Sequence, residues 1–308
     1  MKLVSRKGCG AVVLGILVAV AAIVAFNWDT VQRIFLGGVK VYETDAPALP
    51  DDLASPAILV FSKTNGFRHE EAIPAANALF AGFAEADGWG FYQTENGATF
   101  TPENLARFDA VVFNNVSGDV FTPEQREAFR AFVENGGGFV GIHGSGGDNS
   151  YAWEWYVDEL IGAQFIGHPM DPQFQQATLK VEGASHPATA LLPREWQRTD
   201  EWYSFEASPR AKGHNVLLTI DEASYSPVGL FGSDLHMGED HPMAWWHCQG
   251  DGRAFYSALG HTPESYEEGE HIAMLLGATR WAMRLEGDGC GQDAVTEEET
   301  TQAWQTAE

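Results

Sequence analysis

Gly136-Gly137-Gly138-Phe139-Val140-Gly141-Ile142-His143-Gly144 is the stretch that decides how this chain folds. Glycines close a preceding helix, an apolar run too short for a helix follows, and the run ends in an imidazole beside another glycine. This sets His143 at the carboxyl end of a strand, the edge at which open α/β sheets bind ligands. The helix before it is equally well marked. Thr122 is its N-cap, Pro123 its first position and Gln125 its third, Phe129, Phe132 and Val133 make one apolar face, and Asn135-Gly136 stops it.

Working outward, the same alternation recurs. Strands are expected at 57–62, 90–94, 110–113 and 138–143, and helices at 72–86 and 123–134. Strands alternating with helices imply right-handed crossovers and an α/β fold, a parallel sheet covered on both faces. Downstream, 153–161 reads as a helix, 174–181, 216–220 and 253–259 as strands, and 270–285 as a final helix burying Ile272, Leu275, Leu276 and Trp281. No solenoid-type repeat is visible.

The 308 residues suffice for one large α/β domain or two small ones, and 44% hydrophobic content supports a substantial core. Lys and Arg number 18 against 43 Asp and Glu, a formal charge of −25 that repels phosphate backbones and anionic headgroups. Nucleic acid is therefore not an expected partner; the acidity is read as a solvated surface.

Residues 1–7 carry Lys2, Arg6 and Lys7, and 8–28 are uncharged and largely apolar. At about 1.5 Å per residue such a stretch crosses the roughly 30 Å hydrocarbon layer. It is expected to be a single transmembrane anchor ending at the interfacial Trp28, with the basic end cytoplasmic and the rest periplasmic. Cleavage after the small residues Ala19 to Ala25 would instead yield a secreted protein. Residues 29–56, proline-rich and acidic from Asp45, are expected to be a linker, 57–285 the globular domain, and 286–308 an acidic disordered tail. Cys9 lies in the span, and Cys248 and Cys290 are free to bridge in an oxidising compartment.

Other histidines also sit beside glycine, proline or aromatic residues. Lys63-Thr64-Asn65-Gly66-Phe67-Arg68-His69 follows the first strand, so its polar groups face the crevice above the sheet; it is neither a P-loop nor a dinucleotide fingerprint. Thr199-Asp200-Glu201-Trp202-Tyr203 sets two carboxylates before two aromatics. Strand neighbours point to opposite faces, so one of the pair is expected to face a site. A carboxylate with Trp and Tyr nearby suits sugars, whose hydroxyls need acceptors and whose C–H faces stack on rings. His241 and His247 bracket Trp245 and Trp246, and even spacing in a strand would bring both imidazoles to one face with Trp245, as metal ligands or sugar contacts. Gly144-Ser145-Gly146 is not a serine-hydrolase elbow, because His143 holds the position that serine would need. Each histidine taken alone is as consistent with a satisfied core or loop role.

Taken together, the segments 63–69 and 136–143, His186-Pro187, Asp200-Glu201-Trp202-Tyr203, His241-Pro242-Met243-Ala244-Trp245 and Gly260-His261-Thr262 occur in the order seen in ThuA-like (trehalose utilisation) proteins, which the chain resembles over about 57–285. The resemblance implies a class I glutamine amidotransferase-like, flavodoxin-like doubly wound, mainly parallel sheet. Amidotransferases of that fold carry a nucleophilic cysteine where this chain has His143, so a glutaminase is not expected. The resemblance also implies disaccharide breakdown through 3-keto sugars.

The expected function is acid–base chemistry on a disaccharide or ketosugar. His143 and His261 would act as base and acid with His69 and Glu201 supporting, and Lys63, Arg68, Tyr203, His241, Trp245 and His247 would line the pocket. Two rivals are a non-catalytic carbohydrate-binding or scaffold protein, and a metal-dependent hydrolase in which His69, His143 and His261 converge on a divalent ion.

Overall fold

Ala57–Phe61 (β1) is a run of five buried apolar residues, the pattern of a strand covered on both faces. The computed structural model to which it belongs describes residues 6–148, 153–183 and 185–290. The remaining strands are Gly90–Thr94 (β2), Ala110–Asn114 (β3), Gly138–Ile142 (β4), Phe165–Gly167 (β5), Phe174–Val181 (β6), Glu195–Glu201 (β7), Ser204–Phe205 (β8), Asn215–Ile220 (β9), Pro242–Gln249 (β10) and Gly252–Ser257 (β11).

Nine strands form one sheet in the order β2-β1-β3-β4-β11-β10-β9-β6-β7, and β5 pairs with β8 in a small second sheet. From β2 to β11 all pairings are parallel, so the expected α/β sheet is present. The strand order reverses between β1 and β3, which opens a crevice above their carboxyl ends. Beyond β11 every pairing is antiparallel. The expected strands at 174–181 and 216–220 lie in this extension, joined by β7 and β10, which the sequence reading did not set out as strands.

The helices are Arg6–Phe26 (α1), Trp28–Phe35 (α2), Ala72–Asp87 (α3), Pro102–Leu105 (α4), Pro123–Glu134 (α5) and Gly269–Ala282 (α6). Helix α5 starts with the expected capping box between Thr122 and Gln125. Phe100, Phe113, Phe121 and Phe129 pack ring to ring at the heart of the core. The segment expected as a helix at 153–161 is a π-helix over Trp155–Ile161. Its last carbonyls, on Leu160 and Ile161, accept from His247 Nε2 and Trp245 Nε1 at 2.8 and 2.7 Å.

The stretch expected as a linker is bound to the domain. Arg33 donates to the Thr64 carbonyl at 2.8 Å, Val39 N–H to Asn65 O at 2.8 Å, and Asn65 Nδ2 to Val41 O at 3.0 Å. Glu43 pairs with Lys63 and accepts from Gly97 N–H, and Leu49 is buried in the core. We call 38–50 a strap.

Among the described residues no helix is long and apolar enough to cross a membrane. Helix α1 exposes Leu14, Leu17, Val18, Ile23 and Phe26, but the side chains at 8–12 of the expected span lie outside the described ones. Cys248 and Cys290, which the sequence left free to bridge, form a disulfide. Residues 286–290 of the expected tail are held to the domain, Arg253 bonding to Gly287 O and Arg284 to Cys290 O, and 291–308 lie outside the described residues.

Candidate active site

Strand β4 delivers His143 to the sheet's carboxyl edge and then turns abruptly. His143 takes a φ of 43°, a left-handed conformation unfavourable for a side chain with a Cβ. Its surroundings fix it there: Tyr256 Oη donates to the His143 carbonyl at 2.8 Å, and Gly144 N–H donates to Asn115 Oδ1 at 3.1 Å. Glycine is required at 144, because a Cβ would lie 2.9 Å from the His69 ring. The His143 ring is wholly buried, with one face stacked on Tyr203 at 4.3 Å between centroids. Its Nδ1 faces the Ala258 carbonyl at 2.7 Å. A carbonyl only accepts, so Nδ1 donates to it and Nε2 is the nitrogen turned toward the cluster.

The turn after β11 brings His261 to that nitrogen. His261 Nδ1 lies 3.1 Å from His143 Nε2 and 3.0 Å from Glu201 Oε2. Asp200, next to Glu201 at the end of β7, accepts the Gly260 and His261 N–H groups at 2.8 and 3.2 Å. Asp200 also forms a buried pair with Arg198 at 3.0 Å. The two adjacent carboxylates thus divide the work: Glu201 meets the His261 ring and Asp200 holds its backbone. His69 completes the group from the loop before α3, its ring centroid 4.8 Å from that of His143 and 4.6 Å from that of His261. Its Nδ1 is buried and has no hydrogen-bond partner among the described residues.

The electrostatics are asymmetric. Burial would raise the Glu201 carboxyl, but its contacts with the His143 and His261 imidazoles overcome it and hold the group well below the carboxylate range. Gln173 Nε2 donates to Oε1 at 2.5 Å, and His168 Nδ1, which bonds the Pro169 carbonyl, lies 3.1 Å from the same oxygen. Burial, then the proximity of His143 and His261, pushes His69 far down, so its imidazole is neutral. One proton, on His261 Nδ1, lies between two acceptors, His143 Nε2 and Glu201 Oε2. One ligand atom from each of His69, His143, Glu201 and His261 lies within 4.8 Å of the others. Three imidazoles and a carboxylate at that spacing match the donor set of a divalent transition-metal site.

The expected pocket-lining residues fare differently. Tyr203 is in the site, as the buried floor under His143. His241 acts one layer away, bonding the Tyr203 carbonyl at 2.8 Å and Glu222 at 2.7 Å. Trp245 and His247 end the π-helix, as described, and His247 stacks on His214 at 3.8 Å. The period-two argument placed them together but carried no information on what that face meets. Lys63 is paired with Glu43 of the strap, and Arg68 with Glu95 and Glu70 at 2.8 and 3.0 Å. The sequence reading missed Asn115, His168 and Gln173 as supports; an Asn-Asn pair closing β3 was the one available signal.

Fold and site together define a flavodoxin-type α/β domain with three histidines and a carboxylate gathered at the crest of its parallel strands. The ThuA family model, described as trehalose utilisation, matches residues 57–282, and the chain belongs to that family. Among solved structures it is similar to a ThuA-like protein from Bacteroides uniformis, at 26% identity and a TM-score of 0.65, covering 77% of this chain and 95% of that one. A ThuA-like protein from Parabacteroides merdae shares the fold at 19% identity and a TM-score of 0.55, covering 79% of this chain and 94% of that one. No curated protein matches the sequence.

Proposed function

We propose that the chain is an enzyme of carbohydrate metabolism that acts on a disaccharide or 3-ketosugar by acid–base chemistry at this cluster. The observation that carries the reading is the 3.0 Å contact between His261 Nδ1 and Glu201 Oε2. A carboxylate that accepts a hydrogen bond from Nδ1–H holds the tautomer in which Nε2 is bare as a base, the logic of a catalytic dyad. His261 is also the cluster member that reaches solvent most, its side chain 16% exposed against 0% for His143. His261 is therefore the base that meets substrate, and His143, with which the sequence reading paired it, steadies it from beneath. In a ketosugar the base removes the proton next to the carbonyl and the electron pair moves onto the carbonyl oxygen. Collapse of that enolate expels the glycosidic oxygen, which leaves with a proton. The family's description supports a sugar substrate.

A second reading rests on the four converging donor atoms and the orphaned His69 Nδ1: His69, His143, His261 and Glu201 would hold a divalent ion, which would supply Lewis-acid chemistry at the site. The two readings use the His261–Glu201 contact differently, so metal analysis of the full-length chain beside a ketosugar turnover assay separates them. Turnover without metal, lost in His261→Ala and Glu201→Gln, supports the dyad. Stoichiometric metal that disappears in His143→Ala supports the metal centre. Sugar binding without turnover in either state overturns both and leaves a binding protein.

We also propose that α1 anchors the domain on the extracytoplasmic side of a membrane. The exposed apolar side chains of α1 and the Cys248–Cys290 bridge support this. Reaction of the intact cell surface with a protease, cutting the domain only when applied from outside, tests it.

A further inference from the structure

The rings that the sequence offers for sugar stacking do not reach a ligand. Trp202, Tyr203 and Trp245 are 0, 3 and 1% exposed, and their faces are occupied by the core or by His143. A sugar's apolar C–H faces therefore need other aromatic surface at the cluster. Two rings provide it. Phe67 is 48% exposed, and its centroid lies 4.9 Å from that of His69, edge to face. Phe174 is 40% exposed and stands 5.0 Å from His261 in the same kind of contact.

Both rings are fixed at the backbone while their side chains face solvent. The Phe67 carbonyl accepts from Ser117 Oγ at 2.5 Å, which ties its loop to the turn after β3. Phe174 opens β6 directly opposite Glu201 of β7, so its distance from the dyad is set by strand register. Leaving a phenylalanine half in water forgoes apolar burial that the nearby core could supply. Here two such rings touch two different histidines of one buried cluster, and they come from a loop and a strand end far apart in sequence.

We propose that Phe67 and Phe174 are the stacking platforms of the substrate site, receiving the C–H faces of a pyranose and setting preference for sugars over acyclic polyols. The proposal rests on the reading of the cluster as a site of sugar chemistry. The rings contribute through stacking and exclusion of water, so they act on binding more than on the chemical step.

The test uses the full-length chain, with trehalose and its 3-keto derivative as probes, and compares wild type with Phe67→Ala, Phe174→Ala, the double variant and Phe67→Tyr. Each alanine variant is expected to raise KM or Kd about tenfold with kcat changed little, and the tyrosine variant to restore affinity. Thermal melting should stay near wild type because both rings lie outside the core. Wild-type binding retained unchanged in the double variant overturns the platforms alone. No binding of either sugar by the wild type overturns the proposed function, and the platforms with it.

Discussion

Asp200 accepts the backbone N–H of His261 at 3.2 Å, while the adjacent Glu201 accepts from the imidazole of the same residue at 3.0 Å. Two neighbours on one strand hold one histidine at both its ends. Asp200→Asn keeps an oxygen for the backbone donors but removes the charge facing Arg198. Arg198 then keeps only the partly exposed Glu268 at 3.3 Å and the Ser265 hydroxyl at 2.8 Å, so losing its buried partner should destabilise the fold, which urea unfolding would register. A small displacement of the base should lower kcat by roughly 100-fold with KM much less affected. Unchanged kcat in a folded variant would refute the positioning role.

The metal reading makes a separate prediction. If the four donors hold an ion, a chelator should lower the melting temperature, since a ligand present at about 100 times its Kd adds roughly 2.7 kcal/mol to the native state. Under the dyad reading the same chelator leaves both melting and turnover where they were.

Acid should destabilise the fold through histidines that burial keeps neutral. His271 and His214 are pushed down to about 3, and His186 to about 4, burial being the main cause in each. Each folded value lies below that of the unfolded chain, about 6.5. The unfolded state therefore takes up a proton first as pH falls, so stability is full above about 6.5 and declines toward the folded values. Each histidine should add a slope of about 1.4 kcal/mol per pH unit within that window. His186→Phe, which can keep the stacking on Trp246 and Trp281, should reduce the slope measured between pH 6 and 5 by about one proton. An unaltered slope would contradict the assignment.

Cys248 and Cys290 are 42 residues apart in sequence and span everything from the last antiparallel hairpin through α6. Loop-closure entropy puts the value of such a bridge at about 2–4 kcal/mol. Replacing both with serine should lower the melting temperature, and adding reductant should do the same to wild type but not to the variant.

Much of the site was legible because it lies where local signals are strong. His143 ends an apolar strand between glycines, His69 and His261 sit in turns after strands, and Glu201 precedes an aromatic pair; each signal is contained within a few residues. What was not legible depends on register and on partners distant in sequence. Trp245 and His247 alternate as sugar-lining residues would, but they meet the carbonyls of a π-helix almost 90 residues upstream, at Leu160 and Ile161. The antiparallel half of the sheet was hidden for the same reason, since its strands read locally like any others. The acidic, proline-rich composition of 45–56 resembles a free linker, and nothing in it announces that Glu43 nearby neutralises a buried lysine.

A chain beginning at Ala57, where the family match starts, should therefore melt well below one beginning at Trp28. It lacks Leu49 from the core and leaves Lys63 buried without its carboxylate. Equal melting of the two would show that the strap is dispensable.

Because Arg33 grips the carbonyls of Thr64 and Gly66, five and three residues before His69, the amino-terminal helices are joined to the loop that carries His69 by a mount and not a leash. On the proposed anchoring of α1, the membrane would also fix which way the mouth of the site points. Substrate would then have to arrive from a set direction, and a tilt of α1 would be felt at His69 before anywhere else in the sheet.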